Sequence, residues 1–189
     1  MKKIIGIDFD DVIVSTNEAL AQWHNRAYGT SYQKKDIVQW DLGPLWNCSR
    51  EEQMRRIDEF YCSSEHSSVL PICGAIEAID TLRKENFLCV VTARPKHSRV
   101  PTLSLVERYT PFLSDKIYFT GDGVFTKAEM CIRFGIEVFV DDNLDNAYCI
   151  SALTGIHVLL FDNPWNQVEE LPSNVERVYS WGEILEKVY

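Results

Sequence analysis

The fold of this chain is decided by residues 4–12, which have the sequence Ile-Ile-Gly-Ile-Asp-Phe-Asp-Asp-Val. The apolar and small residues at its start are typical of a strand buried on both faces of a parallel sheet. This run ends at Asp8, and Asp10 follows two residues later. Because open parallel sheets bind ligands at the carboxyl ends of their strands, these two carboxylates mark a candidate site.

Further short apolar runs recur along the chain, with helical patterns between them. Gly135 and Gly155 are placed to end two of these helices. Such alternation predicts an α/β fold with a doubly wound parallel sheet. The predicted strands are residues 4–7, 87–91, 117–119, 137–140 and 157–161, and the helices between the later strands are residues 75–84, 98–109, 127–134 and 144–153.

The interval between the first and second predicted strands is far longer than a single crossover connection requires. Within it, residues 17–28 and 51–61 have helical periodicity, and a loop containing Trp40 and Trp46 joins them. We therefore predict a small helical cap inserted after the first strand. The predicted domains are a core formed by residues 1–13 and 73–189, and a cap formed by residues 14–72.

The charge balance limits the kind of partner. Nineteen basic and 28 acidic residues give a net charge of −9, which disfavours binding to nucleic-acid polymers. Six cysteines lack metal-ligand or disulfide spacing, which indicates reduced thiols. No apolar stretch reaches 18 residues, and the first apolar run is too short for a secretory signal. We therefore expect a cytoplasmic protein that acts on small molecules and has no membrane partner.

Polar residues also follow the other predicted strands. Thr92 and Ala93 follow the second strand, Asp141 and Asp142 follow the fourth, and Lys127 begins a later helix. Each cluster taken alone could be a helix cap or a turn. Parallel topology, however, would bring all of them to the edge that carries the first two aspartates.

Four carboxylates at one edge would repel each other unless a cation neutralised them. The repulsion and burial would cost several kcal/mol. A hard divalent cation with oxygen ligands, most simply Mg²⁺, would offset that cost. The pattern therefore predicts a magnesium site at Asp8, Asp10, Asp141 and Asp142.

The ordered set of motifs resembles the haloacid dehalogenase-like superfamily of phosphatases. The motifs are residues 8–12, Thr92, Lys127 and residues 141–142, and the insertion lies where that superfamily places a C1 helical cap. Within the superfamily, the chain is most similar to the 5'-deoxyribonucleotidase group, in size, in its first motif and in the segment Pro164-Trp165-Asn166. Asp11 departs from the pattern, because many members have Gly there.

The resemblance implies a role for each matching residue. Asp8 would be the nucleophile that forms an aspartyl-phosphate. Asp10 would be the general acid and base, and its backbone carbonyl would also bind the metal. Thr92, Ala93 and Lys127 would bind the phosphate. The implied metal ligands are Asp8, Asp10, Asp141 and Asp142, with Asp142 favoured over Asp141 for direct ligation.

The implied function is magnesium-dependent hydrolysis of a small phosphomonoester, with a nucleoside monophosphate as the expected substrate. Its base would stack on Trp40 or Trp46, which lie in the loop of the cap, although cap aromatics also commonly form a hydrophobic core. Sugar phosphates are the alternative substrates, and an inactive binding module is the non-enzyme alternative. A phospho-receiver domain fits poorly, because receivers lack the insertion. Separately, we expect Arg94 to lie at the solvent-exposed start of a helix.

Overall fold

Six strands form one parallel sheet in the computed structural model, which describes residues 2–189. The strands are β1 (Ile4–Ile7), β2 (Phe87–Thr92), β3 (Ile117–Phe119), β4 (Val138–Asp141), β5 (His157–Phe161) and β6 (Val175–Val178). Their order across the sheet is β3-β2-β1-β4-β5-β6, so the chain begins at the centre and winds outward on both sides. The predicted doubly wound α/β fold is confirmed.

The helices that the sequence predicts are all present, and their bounds lie within one residue of the predicted ones. The helices are α1 (Thr16–Tyr28), α2 (Gly43–Trp46), α3 (Arg50–Tyr61), α4 (Ala75–Glu85), α5 (Arg99–Tyr109), α6 (Lys127–Phe134), α7 (Leu144–Thr154) and α8 (Trp181–Val188). Gly135 and Gly155 end α6 and α7 in the left-handed conformation, as predicted. Among residues 2–189, no helix has both the length and the apolar character needed to cross a membrane.

The centre of the sheet is tightly packed around β1. Ile5 and Ile7 have no exposed surface, and their backbones pair with β2 on one side and β4 on the other. A side chain at Gly6 would put a Cβ atom 2.5 Å from the ring of Phe139. Glycine at this position therefore leaves room for the ring of Phe139, which lies on β4 beside β1, the two strands that carry the acidic motifs.

The sequence patterns missed β6, α8 and the short helix α2, which lies in the segment predicted as the cap loop. β6 has only four residues, of which Glu176 and Arg177 are charged, and it lies at an edge of the sheet. An edge strand can expose part of its surface, so it lacks the continuous apolar run of a central strand. Its neighbour α8 buries Trp181 and Ile184 against the core.

The chain leaves the sheet and returns to it at adjacent points. The N–H of Ser15 donates to the carbonyl of Leu70 (2.9 Å), and the N–H of Ile72 donates to the carbonyl of Ile13 (2.9 Å). Helices α1, α2 and α3 lie between these junctions. The division into a core and a cap at residues 14–72 remains a proposal, which the paired junctions support.

Candidate active site

The acidic residues meet because β1 and β4 are neighbours. The N–H of Asp8 donates to the carbonyl of Val140 (2.8 Å), which ties the end of β1 to β4. Oxygen atoms of Asp8, Asp141 and Asp142 then lie within 4.8 Å of one another, and all three side chains are buried. These are the hard oxygen donors that Mg²⁺ prefers.

Lys127 lies between two of these carboxylates. It begins α6, whose first turn is fixed by a capping box between Thr126 and Glu129. Its Nζ is 2.9 Å from Oδ1 of Asp8 and 2.9 Å from Oδ2 of Asp141. Burial would lower the pKa of Lys127, but the two carboxylates outweigh burial and raise it, so the ammonium stays charged.

Three carboxylates and one ammonium leave a net negative charge in a buried place. Burial, followed by repulsion from Asp141, raises the pKa of Asp8 to about 7 although Lys127 opposes the shift. Burial and the charge of Asp8 raise the pKa of Asp142 well above its ordinary value. A divalent cation would relieve both effects, so the charge of the cluster fits Mg²⁺.

The two aspartates of the second acidic motif differ in what their oxygens contact. Oδ1 of Asp141 accepts from the N–H of Asn143 (3.0 Å), and its Oδ2 accepts from Lys127. Oδ2 of Asp142 accepts from Nε1 of Trp165 (2.8 Å), whereas its buried Oδ1 has no partner among the described residues. Of the two residues, Asp142 therefore has a carboxylate oxygen available to bind a metal, whereas both oxygens of Asp141 are engaged.

Asp10 is paired with Arg94. The guanidinium contacts the carboxylate through Nε and Nη2 at distances from 2.7 to 3.1 Å, and the hydroxyl of Thr16 also donates to Oδ1. Burial would raise the pKa of Asp10, but Arg94 and then Thr16 outweigh it and lower the pKa. The expectation of a solvated Arg94 is wrong, because this side chain is only 2 % exposed.

Asp11 has a left-handed backbone, with a φ of 52°, which explains why glycine is common at this place in the family that the motifs resemble. Its Oδ1 lies 3.1 Å from Nζ of Lys34, and its Oδ2 accepts from the N–H of Asn17 (3.1 Å). These contacts offset the strain of a non-glycine residue in this conformation. Lys34 lies in the predicted cap, so the ion pair links the cap to the site.

The predicted phosphate-binding residues Thr92 and Ala93 lie at the end of β2. Oγ1 of Thr92 accepts from the N–H of Arg94 (3.2 Å), which leaves the hydrogen of the Thr92 hydroxyl free to donate. A Cβ atom at Gly121 would lie 2.2 Å from the carbonyl oxygen of Ala93. Glycine there lets the neighbouring loop approach Ala93, which holds the end of β2 in place.

A cavity opens above these residues, with a polar floor and a largely apolar wall. The floor comes from the predicted core and the wall from the predicted cap. The floor is lined by Asp8, Asp10, Asp11, Ala93, Arg94, Lys127, Asp142, Asn143 and Asn146, and the wall by Thr16, Asn17, Leu20, Trp40, Leu42, Ile57, Phe60 and Tyr61. The structure thus brings six of the nine predicted site residues to one cavity, and the three that do not line it are Thr92, Asp141 and Trp46.

The two tryptophans of the cap loop have different positions. Trp40 lines the cavity, is 41 % exposed and lies 5.3 Å from Trp165, measured between ring centroids. Trp46 is buried instead, and its ring stacks on His24 at 4.4 Å. The prediction that Trp46 could contact a substrate is not supported by this position, because Trp46 ends the short helix α2 and packs inside the cap.

Several residues of the site were missed by the sequence analysis. Arg94, His66 and Trp165 contact the acidic residues or their partners, yet each comes from a segment distant in sequence. The sequence signals available were Arg94, two residues after Thr92, and the Asn-Pro-Trp-Asn segment that follows the fifth strand. In the structure, the side chain of Asn166 donates to the backbone carbonyl of Asp142 (2.8 Å), so the segment after the fifth strand stabilises the position of Asp142.

Fold and site together define a haloacid dehalogenase-like phosphatase, the class that the order of the motifs predicts. The chain belongs to the family described as 5' nucleotidase, deoxy (pyrimidine), cytosolic type C protein, whose model matches residues 2–188. The predicted similarity to the deoxyribonucleotidase group is thereby confirmed.

Individual relatives agree with this assignment. The protein YqfW of Bacillus subtilis (strain 168), provisionally named a nucleotidase, is 29 % identical over 182 residues, covering 96 % of this chain and 91 % of YqfW. A 5'(3')-deoxyribonucleotidase of the same organism is 28 % identical, covering 100 % of this chain and 99 % of the relative. The haloacid dehalogenase-like hydrolase SP0104 of Streptococcus pneumoniae shares the fold, with a TM-score of 0.73, 14 % identity and coverage of 100 % and 99 %.

Proposed function

We propose that this phosphatase hydrolyses nucleoside monophosphates in a magnesium-dependent reaction, through an aspartyl-phosphate formed on Asp8. The observation that carries the proposal is the position of the Asp8 carboxylate. It lines the cavity floor, with Lys127 2.9 Å from Oδ1 and two further carboxylates beside it. This arrangement combines a nucleophile, a fixed positive charge and a metal-binding cluster, which phosphoryl transfer requires.

The phosphate would occupy the floor of the cavity. Lys127 would balance the charge on Asp8 and on the phosphoryl oxygens, and the free hydroxyl hydrogen of Thr92 would donate to one of them. Ala93 lines the cavity beside Thr92, where its backbone can approach the phosphate. The attack of Asp8 breaks the bond to the leaving oxygen and places the phosphoryl group on the carboxylate.

Asp10 would transfer the proton in both halves of the reaction. In the ionised form that Arg94 stabilises, it can accept a proton from the water that hydrolyses the aspartyl-phosphate. Donation to the leaving oxygen first requires a protonated Asp10, which Arg94 opposes. For a poor leaving group such as a ribose oxygen, we therefore expect the first half of the reaction to limit turnover.

The cluster at the ends of β1 and β4 fits a magnesium ion in donor chemistry and in charge. Asp8 and the unpartnered Oδ1 of Asp142 would hold it, with the backbone carbonyl of Asp10 as a further ligand. Asp141 would orient the site through Lys127 and Asn143 instead, because both of its oxygens are engaged. Bound Mg²⁺ supplies positive charge that neutralises the phosphate.

The wall of the cavity supports a substrate with a flat apolar part. Leu20, Leu42, Ile57 and Phe60 face the space above the phosphate position, and the ring of Trp40 lies at its edge. A nucleobase can pack against such a wall and stack on an aromatic ring, whereas the hydroxyl groups of a sugar phosphate would lose hydrogen bonds to water there. The relative named a 5'(3')-deoxyribonucleotidase also supports this choice.

A cytoplasmic location follows as part of the proposal. All six cysteines are free thiols, which fits a reducing compartment. The net charge of −9 supports a small substrate rather than a nucleic-acid polymer, because the protein as a whole would repel a polyanion.

The test is a panel of phosphorylated metabolites assayed with Mg²⁺, containing deoxynucleoside and nucleoside monophosphates and sugar phosphates. We expect wild-type turnover to be highest on a nucleoside monophosphate, and Asp8→Asn to abolish it. Asp115→Asn, at an exposed position away from the cavity, is the matched control and should retain full activity. Near wild-type turnover by Asp8→Asn would overturn the nucleophile, and a preference for sugar phosphates would overturn the substrate class. An absence of turnover across the panel would favour a binding module.

A further inference from the structure

Arg94 has every hydrogen-bond donor engaged by the protein. Its Nε contacts both oxygens of Asp10, and Nη2 contacts Oδ1 of Asp10 (2.7 Å) and Oγ1 of Thr16 (3.3 Å). Nη1 contacts Nε2 of His66 (2.9 Å) and Oγ1 of Thr102 (2.9 Å). A guanidinium has five N–H groups, and these contacts use all of them. Although Arg94 borders the cavity, no donor remains for a substrate phosphate.

The plane of the guanidinium is also fixed. Its central carbon lies 4.8 Å from the ring centroid of Phe9 and 5.0 Å from that of Tyr61. Cation–π contacts with two rings restrict the orientation of the group. The side chain is 2 % exposed, so water does not compete for these contacts.

The partners of Arg94 come from four separate segments. Asp10 follows β1, Thr16 begins α1, Thr102 lies in α5, and His66 precedes the return of the chain to the core. Thr16 and His66 therefore belong to the two ends of the predicted cap. Arg94 joins the carboxylate of Asp10 to both of these ends.

His66 completes the arrangement as a hydrogen-bond acceptor. Arginine only donates, so Nε2 of His66 must accept, and the ring must be neutral with its proton on Nδ1. Burial, and then the charge of Arg94, lower the pKa of His66 to about 4, which favours this neutral form. The rings of Phe60 and Tyr61 enclose the imidazole edge-on, at 5.4 and 5.3 Å between centroids.

From these contacts we propose that Arg94 is a positioning residue that fixes the Asp10 carboxylate for proton transfer, and that His66 orients Arg94 for this task. The inference rests on the proposed function, in which Asp10 transfers the proton. A carboxylate on a loop has two rotatable bonds, and a two-pronged contact with a planar guanidinium fixes both of them. The substitution Arg94→Lys would keep the positive charge but lose the planar pair of N–H donors, so the Asp10 carboxylate would be held less precisely.

The first experiment compares Arg94→Lys with wild type on two substrates. A nucleoside 5'-monophosphate needs proton donation to its leaving oxygen, whereas p-nitrophenyl phosphate does not. We expect kcat for the nucleotide to fall roughly 10- to 100-fold, with KM within about threefold of wild type, and much smaller losses in the first-turnover release of p-nitrophenol, a step that needs no proton from Asp10. Arg99→Lys is the matched control, because Arg99 lies on the same segment and is exposed. Equal losses on both substrates, or a change confined to KM, would overturn the proposal.

The second experiment asks whether Arg94 acts through Asp10. Adding Arg94→Lys to Asp10→Asn should cost less than about threefold more in kcat, because the group that Arg94 positions is already lost. If the loss of kcat in the double variant equals the product of the losses in the two single variants, the proposal is contradicted. Wild-type protein that hydrolyses no nucleotide would refute the proposed function instead, so the two failures can be told apart.

The third experiment uses His66, whose replacement keeps both Arg94 and Asp10 in the chain and removes only the contact to Nη1. His66→Gln keeps an acceptor for Nη1 and should retain most of the activity, whereas His66→Leu should show the leaving-group dependence of Arg94→Lys. Circular dichroism and melting curves establish that each variant is folded. If Arg94→Lys does not fold, the two His66 variants test the proposal instead. Equal activity of His66→Gln and His66→Leu would contradict the proposed positioning role.

Discussion

Nε1 of Trp165 donates a hydrogen bond of 2.8 Å to Oδ2 of Asp142. The bond fixes one oxygen of a buried carboxylate and leaves the other, Oδ1, without a partner among residues 2–189. The face of the same indole lies 5.3 Å from Nζ of Lys34, which pairs with Asp11. An aromatic residue from the exit of β5 therefore orients the carboxylate that we propose as a metal ligand.

Trp165→Phe should weaken Mg²⁺ binding. The substitution keeps most of the ring but removes the N–H, so Asp142 loses its orientation. Partners of metal ligands typically contribute about 10- to 100-fold in affinity, and we expect a loss near the lower end of this range. Isothermal titration with Mg²⁺ measures it directly.

The matched control for this variant is Trp181→Phe. Its Nε1 donates to the backbone carbonyl of Val12 (2.9 Å), so the substitution removes a buried indole N–H that contacts no carboxylate. It should lower the melting temperature without changing the Mg²⁺ affinity. If Trp165→Phe binds Mg²⁺ as wild type does, then Asp142 does not depend on Trp165.

Asp142→Asn should stabilise the metal-free protein at pH 8 while removing its stabilisation by Mg²⁺. The folded-state pKa of Asp142 is raised, so its contribution to stability is present below pH 3.8, its ordinary pKa, and is lost as the pH rises through the folded-state value. The amide carries no charge and can still accept from Trp165. The melting temperature of the variant should therefore exceed that of wild type by an amount that grows with pH.

Asp145→Asn is the control for this measurement, because Asp145 lies exposed in the first turn of α7. A negative charge there interacts favourably with the helix dipole, so its removal should slightly lower the melting temperature. A lower melting temperature for metal-free Asp142→Asn at pH 8 would mean that the buried charge is compensated by the protein itself.

Removal of divalent cations should stop hydrolysis. Asp8 and its neighbours repel each other without a cation, and the phosphate would add further negative charge to the same floor. We expect no turnover in EDTA, full recovery with Mg²⁺ and poor recovery with Ca²⁺, whose larger and looser coordination would misplace the nucleophile. Full activity in EDTA would instead point to a metal-free, dehalogenase-like reaction.

Trp40→Ala should reduce the preference for nucleotides. Base stacking contributes about 1 to 3 kcal/mol, so kcat/KM for a nucleoside monophosphate should fall roughly 5- to 100-fold while the value for a sugar phosphate changes little. Val38→Ala is the control, since Val38 lies exposed on the same segment and does not line the cavity. Retention of the full nucleotide preference by Trp40→Ala would place base recognition elsewhere in the wall.

The sheet, five of its six strands and the shared edge at which Asp8, Lys127, Asp141 and Asp142 meet could be predicted from the sequence alone. These features follow from local apolar runs and from the rule that parallel strands end at one edge, and neither depends on how particular side chains pack. The edge strand β6 was missed because partial exposure removes the apolar run that identifies a central strand.

Which further side chains complete the site could be seen only in the folded protein. Arg94 and Asp10 lie 84 positions apart, and Trp165 and Asp142 lie 23 apart, so no local pattern connects them. The two tryptophans of the cap loop have similar surroundings in the sequence, yet Trp40 borders the cavity and Trp46 is buried on His24. Hydrogen-bond partners and burial arise from packing between distant segments, and for these residues that packing exists only once the chain has folded.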